Sequence, residues 1–242
     1  MKNKKENKII PIIGMQWGDE GKGKGVARIA SGLSKNDLIV RFQGGNNAGH
    51  TIWHGGICYV FHLIPSGVFG KAQIHLGAGM VINPSALKEE ASMVLKNARP
   101  TERSFRRVSF LNRLSVSPHA VLVTPTHVLL DSVSESIKGK KRIGSTGRGI
   151  SPAYTDLTLR RALRVGDILE KDFKKRYTAL VEEHKKTLQS VFGYKVKRGE
   201  LKEKEINSPP TASAKDWYSA SGSIIKTSAP SIKLRTDSSF TA

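Results

Sequence analysis

Cysteine is nearly absent. Cys58 stands alone in 242 residues, which excludes a disulfide within the chain and fits a reducing compartment. No apolar stretch approaches membrane-spanning length. The first, Ile9-Ile10-Pro11-Ile12-Ile13, follows the basic residues 1–8 but is too short for a signal h-region and runs into glycine. The expectation is a cytoplasmic protein with no membrane partner. Acidic residues are also scarce: 20 Asp and Glu face 40 Lys and Arg, a net charge of +20. Such an excess points to anionic partners, either nucleic acid or phosphorylated small molecules. Hydrophobic residues, at 38%, are ordinary for a globular chain long enough to bury a core.

Glycine is what the sequence has in a telling place. Gly14-Met15-Gln16-Trp17-Gly18-Asp19-Glu20-Gly21-Lys22-Gly23-Lys24-Gly25 holds five glycines in twelve residues, between an apolar run and a segment with helical periodicity. Strand, glycine loop and helix together present backbone N–H groups to a phosphate. The spacing departs from the common nucleotide loop, because six residues separate Gly14 from Gly21-Lys22. Gly23 also replaces the hydroxyl residue that would hold magnesium. Another oxygen ligand is then needed, and Asp19 is the nearest carboxylate.

Farther along, residues 38–42 read as a buried strand emptying into a second glycine loop, Gln43-Gly44-Gly45-Asn46-Asn47-Ala48-Gly49-His50-Thr51. There His50 would act on a phosphate oxygen and Asn47 would hydrogen-bond a ligand. A hairpin is expected around Gly55-Gly56. A short strand over 74–76 should end in a Gly77-Ala78-Gly79 turn. Asn83-Pro84 reads as the cap and first position of a helix running to about residue 97. His54, His62 and His75 have no ligand spacing and are expected to be structural. His119 and His127 have no evident partner. Residues 99–113 are basic, with Phe105 and Phe110 interleaved, a pattern of either a solvated face or single-strand binding. A strand over 120–123, a helix over 125–137 and a long amphipathic helix over 173–191 follow. Between the last two helices, residues 139–154 are rich in glycine, hydroxyls and arginine, and read as a third anion cradle. From about residue 206 the Ser, Thr and Pro content predicts a disordered tail.

Five ordered motifs resemble the N-terminal half of the adenylosuccinate synthetase family. They are Gln16-Trp17-Gly18-Asp19-Glu20-Gly21-Lys22-Gly23-Lys24, Asn47-Ala48-Gly49-His50-Thr51, His62-Leu63-Ile64-Pro65-Ser66-Gly67, Thr146-Gly147-Arg148-Gly149-Ile150, and the stretch from Arg160-Arg161 to Asp167. The resemblance implies an α/β fold with a mostly parallel central sheet, flanking helices and a P-loop-like nucleotide loop. It also implies a GTP-dependent ligase that joins L-aspartate to IMP and acts as a homodimer. Asp19, His50 and Lys22 would be catalytic. Gly18, Asp19, Glu20, Gly21, Lys22, Gly23, Lys24, Gly49, His50 and Thr51 would bind GTP. IMP would meet Asp19, Glu20, Gly21, Lys22, Asn47, Ala48, Gly49, His50 and Thr146, with Arg160 reaching the partner subunit's IMP. Asp19 and the Gly49 carbonyl would hold one Mg2+.

Against the family pattern, Asn46 stands where many members carry histidine, while Ser145 and Ser151 replace a usual Thr and Gly. The family is nearly twice as long, so residues 9–205 are expected to form a partial domain. Residues 1–8 would be a basic extension and 206–242 a tail, attributed to a frameshift or premature stop after about residue 192–206. Such a chain is expected to expose apolar surface, dissolve poorly and lack ligase turnover. Two rival readings are a non-catalytic IMP- or GTP-binding module and a basic nucleic-acid binder using residues 99–113 and the tail.

Overall fold

The computed structural model describes residues 8–16, 18, 20–97, 110, 112–141, 144–197 and 201. The expected tail, and most of the basic stretch 99–113, lie outside the described residues. Helix α1 (Lys22–Ser31) leads to strand β1 (Leu38–Gly44), then to the antiparallel hairpin of β2 (His50–His54) and β3 (Ile57–Phe61). Strand β4 (Gln73–Ile82) lies parallel to β1 on one side. On its other side it pairs in parallel with β5 (Leu114–Val116) and, farther along, with β6 (Val121–Leu122). Helices α2 (Pro84–Asn97), α3 (Pro125–Ile137), α4 (Ile150–Thr158) and α5 (Phe173–Ser190) complete an α/β fold with a parallel sheet.

Local chemistry explains these elements. The Asn83 side chain accepts the Ala86 N–H at 3.2 Å and caps α2, with Pro84 in its first turn. Leu87, Ala91 and Val94 face inward. Helix α5 buries Phe173, Tyr177, Leu180, Val181, His184 and Leu188, the helical stripe read from the sequence, although Val191 is exposed. Phe61, Leu63, Ile64, Ile74, Leu76 and Phe110 are fully buried and join β3, β4 and the flanking segments into the main core.

Four expectations change. Residues 9–13 form no strand, and Ile9 and Met15 are 86% and 91% exposed. No described strand pairs with this run, and an isolated strand gains no ladder hydrogen bonds to offset its ordering. Strand β1 forms but is not buried: Leu38, Val40 and Phe42 are exposed on one face, Phe42 at 59%. Gly77 and Gly79 lie inside β4 rather than in a turn. The β1–β4 register shifts between Arg41 and Gln43, and a Cβ on Gly79 would fall 2.6 Å from the Phe42 carbonyl oxygen. Glycine within a strand there marks close backbone approach at a bulge. Finally, the two described members of the basic stretch singled out above, Phe110 and Arg113, are buried. Arg113 donates to the carbonyls of Gly70 and Ala72 at 2.9 Å and of Val68 at 3.2 Å, so it serves neither a solvated face nor a nucleic acid. No described helix is long and apolar enough to cross a membrane.

Candidate functional site

Helix α1 begins behind Gly21, whose left-handed backbone (φ 75°) turns the chain into the first helical position. No side chain caps this end, so its leading N–H groups and the positive end of the helix dipole face outward. Packing forces the neighbouring residue to be glycine: a Cβ on Gly23 would sit 2.9 Å from the His50 Cβ. The Gly23 carbonyl accepts the buried Ser66 hydroxyl at 2.6 Å. A Cβ on Gly67 would lie 2.6 Å from that of Ala30. The Pro65-Ser66-Gly67 motif therefore seats α1 directly against the turn Ser66–Phe69 and against His50. The first two glycine loops, far apart in sequence, meet here.

Within the first loop, Lys22 pairs with Glu20, whose carboxylate also accepts the Gln16 N–H at 2.7 Å. The Lys22 bond, followed by the Gln16 N–H, holds the Glu20 carboxyl below the ordinary carboxylate value. Asp19 and Trp17 lie outside the described residues. His50 opens β2, half-buried. Burial, followed by the positive charges of Arg41, Lys22 and His62, pushes its imidazole below 6.5. Asn47, Gly49 and Thr51 are exposed along the second loop, and Ala48 is half-buried.

Two buried charges that sequence reading passed over hold this loop in place. Arg41 donates to the Leu63 carbonyl at 3.0 Å, to the Gly45 carbonyl at 2.8 Å and to the His62 carbonyl. Glu90 accepts the N–H groups of His62, Leu63 and Ile64, each at 2.9 Å. Burial raises the Glu90 pKa, and those three N–H groups act in the opposite direction. His62, clamped from both sides, pairs with the Ala48 carbonyl and lies 3.0 Å from the Arg148 guanidinium. Arg148 in turn donates to the Asn46 carbonyl. Signals existed for both charges. Glu90 falls on the Leu87–Ala91–Val94 stripe of α2, and Arg41 is a lone cation in an apolar strand. His54 and His75 are structural: His54 stacks on Phe69 with ring centroids 4.0 Å apart, and His75 pairs with the Ser115 hydroxyl at 3.0 Å.

The third glycine-rich segment is tied down by its own carboxylates. Glu135 accepts the Gly144 and Ser145 N–H groups at 2.7 and 3.3 Å, and Asp131 accepts the Gly149 N–H at 2.9 Å and the Ser145 hydroxyl at 2.6 Å. The Lys138 ammonium, then these N–H groups, bring Glu135 down to about 2. Thr146 remains exposed, and from Ile150 the segment is helical. Arg160, also exposed, follows the end of α4.

His127 has a partner after all. Its Nε2 and that of His184 both lie 2.8 Å from Asp156 Oδ2, and all three residues are buried. The three donor atoms are close enough to suggest a metal centre. The hydrogen bonding excludes one in this arrangement. The Thr124 backbone N–H can only donate, and it reaches His127 Nδ1 at 2.9 Å, so the proton of that neutral ring is on Nε2 and points at the carboxylate. Arg161 Nε donates to Asp156 Oδ1 at 2.8 Å. Nothing in the spacing of residues 127, 156 and 184 could reveal this meeting of three helices.

Comparison with known proteins decides the family. The sequence model of adenylosuccinate synthetase matches residues 11–215. The chain belongs to the adenylosuccinate synthetase family. Synthetases of Christiangramia forsetii and Flavobacterium psychrophilum are 46% and 45% identical over 178 and 179 residues, or 73% and 74% of this chain. This chain spans only 39% and 40% of those relatives. The fully ligated adenylosuccinate synthetase of Plasmodium falciparum superposes with a TM-score of 0.66 at 33% identity, covering 83% of this chain and 44% of that one. The synthetase-like fold here is therefore incomplete relative to its relatives.

Proposed function

We propose that this chain carries the phosphoryl-handling part of adenylosuccinate synthetase, which converts IMP, L-aspartate and GTP to adenylosuccinate, GDP and phosphate. The observation that supports this most is the seating of Gly23 on His50, which brings the phosphate-type loop and the histidine loop to one place. Asp19 takes the N1 proton of IMP, and O6 then attacks the γ-phosphate of GTP to give 6-phosphoryl-IMP. The aspartate amine displaces that phosphoryl group as phosphate. Lys22 and His50 neutralise charge on the transferring group, a role of positioning and electrostatics. Lys22 is free to do so once an incoming phosphate displaces Glu20. The oxygen donors assigned to Mg2+, the Asp19 carboxylate and the exposed Gly49 carbonyl, are of the hard type that ion prefers. Bound there, it would spread phosphate charge. Thr146 holds the IMP phosphate, and Arg160 reaches the IMP of a second copy.

Because the chain spans two fifths of its relatives' length, we expect binding without turnover. Calorimetry with IMP and Mg2+–GTP tests this. Micromolar to millimolar affinity that His50→Ala weakens supports the reading, and no affinity for either nucleotide sinks it. Asp19→Asn should leave phosphate binding intact or stronger by removing an anion. Adenylosuccinate appearing from the chain alone would contradict the expectation of no turnover.

A further inference from the structure

Helix α4 ends in a Schellman motif with an arginine where glycine usually stands. The Arg161 N–H reaches the Asp156 carbonyl at 3.0 Å, and the Arg160 N–H reaches that of Leu157 at 3.1 Å. The residue between the cap and Arg161 must be left-handed, and Arg160 is, at φ 60°. It is the one non-glycine among the described residues with a positive φ. A side chain makes that conformation unfavourable, because Cβ crowds the next carbonyl. Such a residue persists where its surroundings over-determine it, and outliers of this kind cluster at functional sites.

The surroundings are the buried node. Asp156 supplies the carbonyl that closes the motif, and its carboxylate is held at three points. His127 from α3 and His184 from α5 bind Oδ2, and Arg161 Nε binds Oδ1. Arg161 also reaches Glu183 of α5 at 3.1 Å. The Arg160-Arg161 pair is thus split: the second arginine is bound into the fold, while the first is exposed on a strained turn.

We propose that Asp156, braced by His127 and His184, is a positioning residue that forces Arg160 into its left-handed turn and so sets the direction of its guanidinium. The role rests on the reading of Arg160 as a phosphate contact. The turn itself is tested without any ligand. Arg160→Gly should raise the melting temperature by about 2–4 °C, because glycine adopts this backbone freely. In Arg161→Lys or His184→Gln chains, whose node is loosened, the same change should bring little or no rise. An equal rise in all three backgrounds would show that the backbone motif alone sets the turn, and would overturn the proposal. Arg161→Lys keeps the charge and is the variant expected to fold. In calorimetry with IMP, Arg160→Ala and Arg161→Lys should each weaken binding several-fold, and together no more than Arg160→Ala alone. Fully additive losses would count against positioning. If the parent chain shows no IMP affinity, the phosphate assignment fails, and the melting comparison still decides whether the node holds the turn.

Discussion

At the scale of single residues, the candidate site depends on atoms that glycine lacks. Adding a methyl group at Gly23 forces a contact of 2.9 Å with the His50 Cβ. Overpacking of this kind costs about 1–3 kcal/mol, and roughly 1 kcal/mol returns because alanine is the better helix former. Gly23→Ala should therefore destabilise the chain by about 1 kcal/mol in denaturant titration and weaken GTP binding more than that figure implies, because the loops are pushed apart. His50 offers a second test. Its imidazole is held below 6.5 by burial and by the neighbouring cations, so an arriving phosphate reverses the local field and raises its pKa. Nucleotide binding near pH 6.5 should take up protons, read as a dependence of the calorimetric enthalpy on buffer ionisation heat. His50→Ala should abolish that uptake.

At the scale of elements, two buried carboxylates join segments that backbone pairing does not connect. Glu90 closes the N–H groups of residues 62–64 onto α2. Truncation by Glu90→Ala strands these buried donors and should cost about 3 kcal/mol or more, whereas a loss under 1 kcal/mol would mean that water replaces the carboxylate freely. Asp156 joins three helices, and its node implies an acid limb. Burial pushes His127 below 6.5 more than its Asp156 bond raises it. An unfolded chain binds that proton near 6.5 while the folded one refuses it, so this stability is complete above about 6.5 and declines as pH falls further. Despite burial, the bonds from His127, His184 and Arg161 hold Asp156 far below its usual range. Its share persists above about 3.8 and is lost in stronger acid. Melting temperature should be flat from pH 7 to 8 and drop towards pH 5. Part of the drop should vanish in His127→Gln, since His50 and His75 are shifted in the same direction.

At the scale of the whole molecule, the open face of β1 is the conspicuous feature. Leu38, Val40 and Phe42 are exposed on one face of the edge strand, and Ile9, Ile13 and Met15 are exposed along the run before α1. An apolar edge strand invites association. The chain should self-associate with rising concentration in sedimentation experiments. Val40→Thr with Phe42→Ser should reduce this without lowering the melting temperature, because neither side chain is buried.

Sequence reading reached furthest where chemistry is local. The capped start of α2, the stripe of α5, the hairpin at Gly55-Gly56 and the two phosphate-type loops all rest on propensities and spacings that neighbouring residues set themselves. The parallel sheet and the family were legible for the same reason, through ordered motifs. Pairing and burial were not. Residues 9–13 have the composition of a buried strand, yet a strand needs a neighbour and none of the described strands provides one. Gly77 and Gly79 carry a turn signal, but the approach of the Phe42 carbonyl made them strand residues. His127, Asp156 and His184 are separated by 29 and 28 residues in the chain. Only the packing of three helices brings them into contact, because a buried carboxylate must find its donors wherever the fold delivers them.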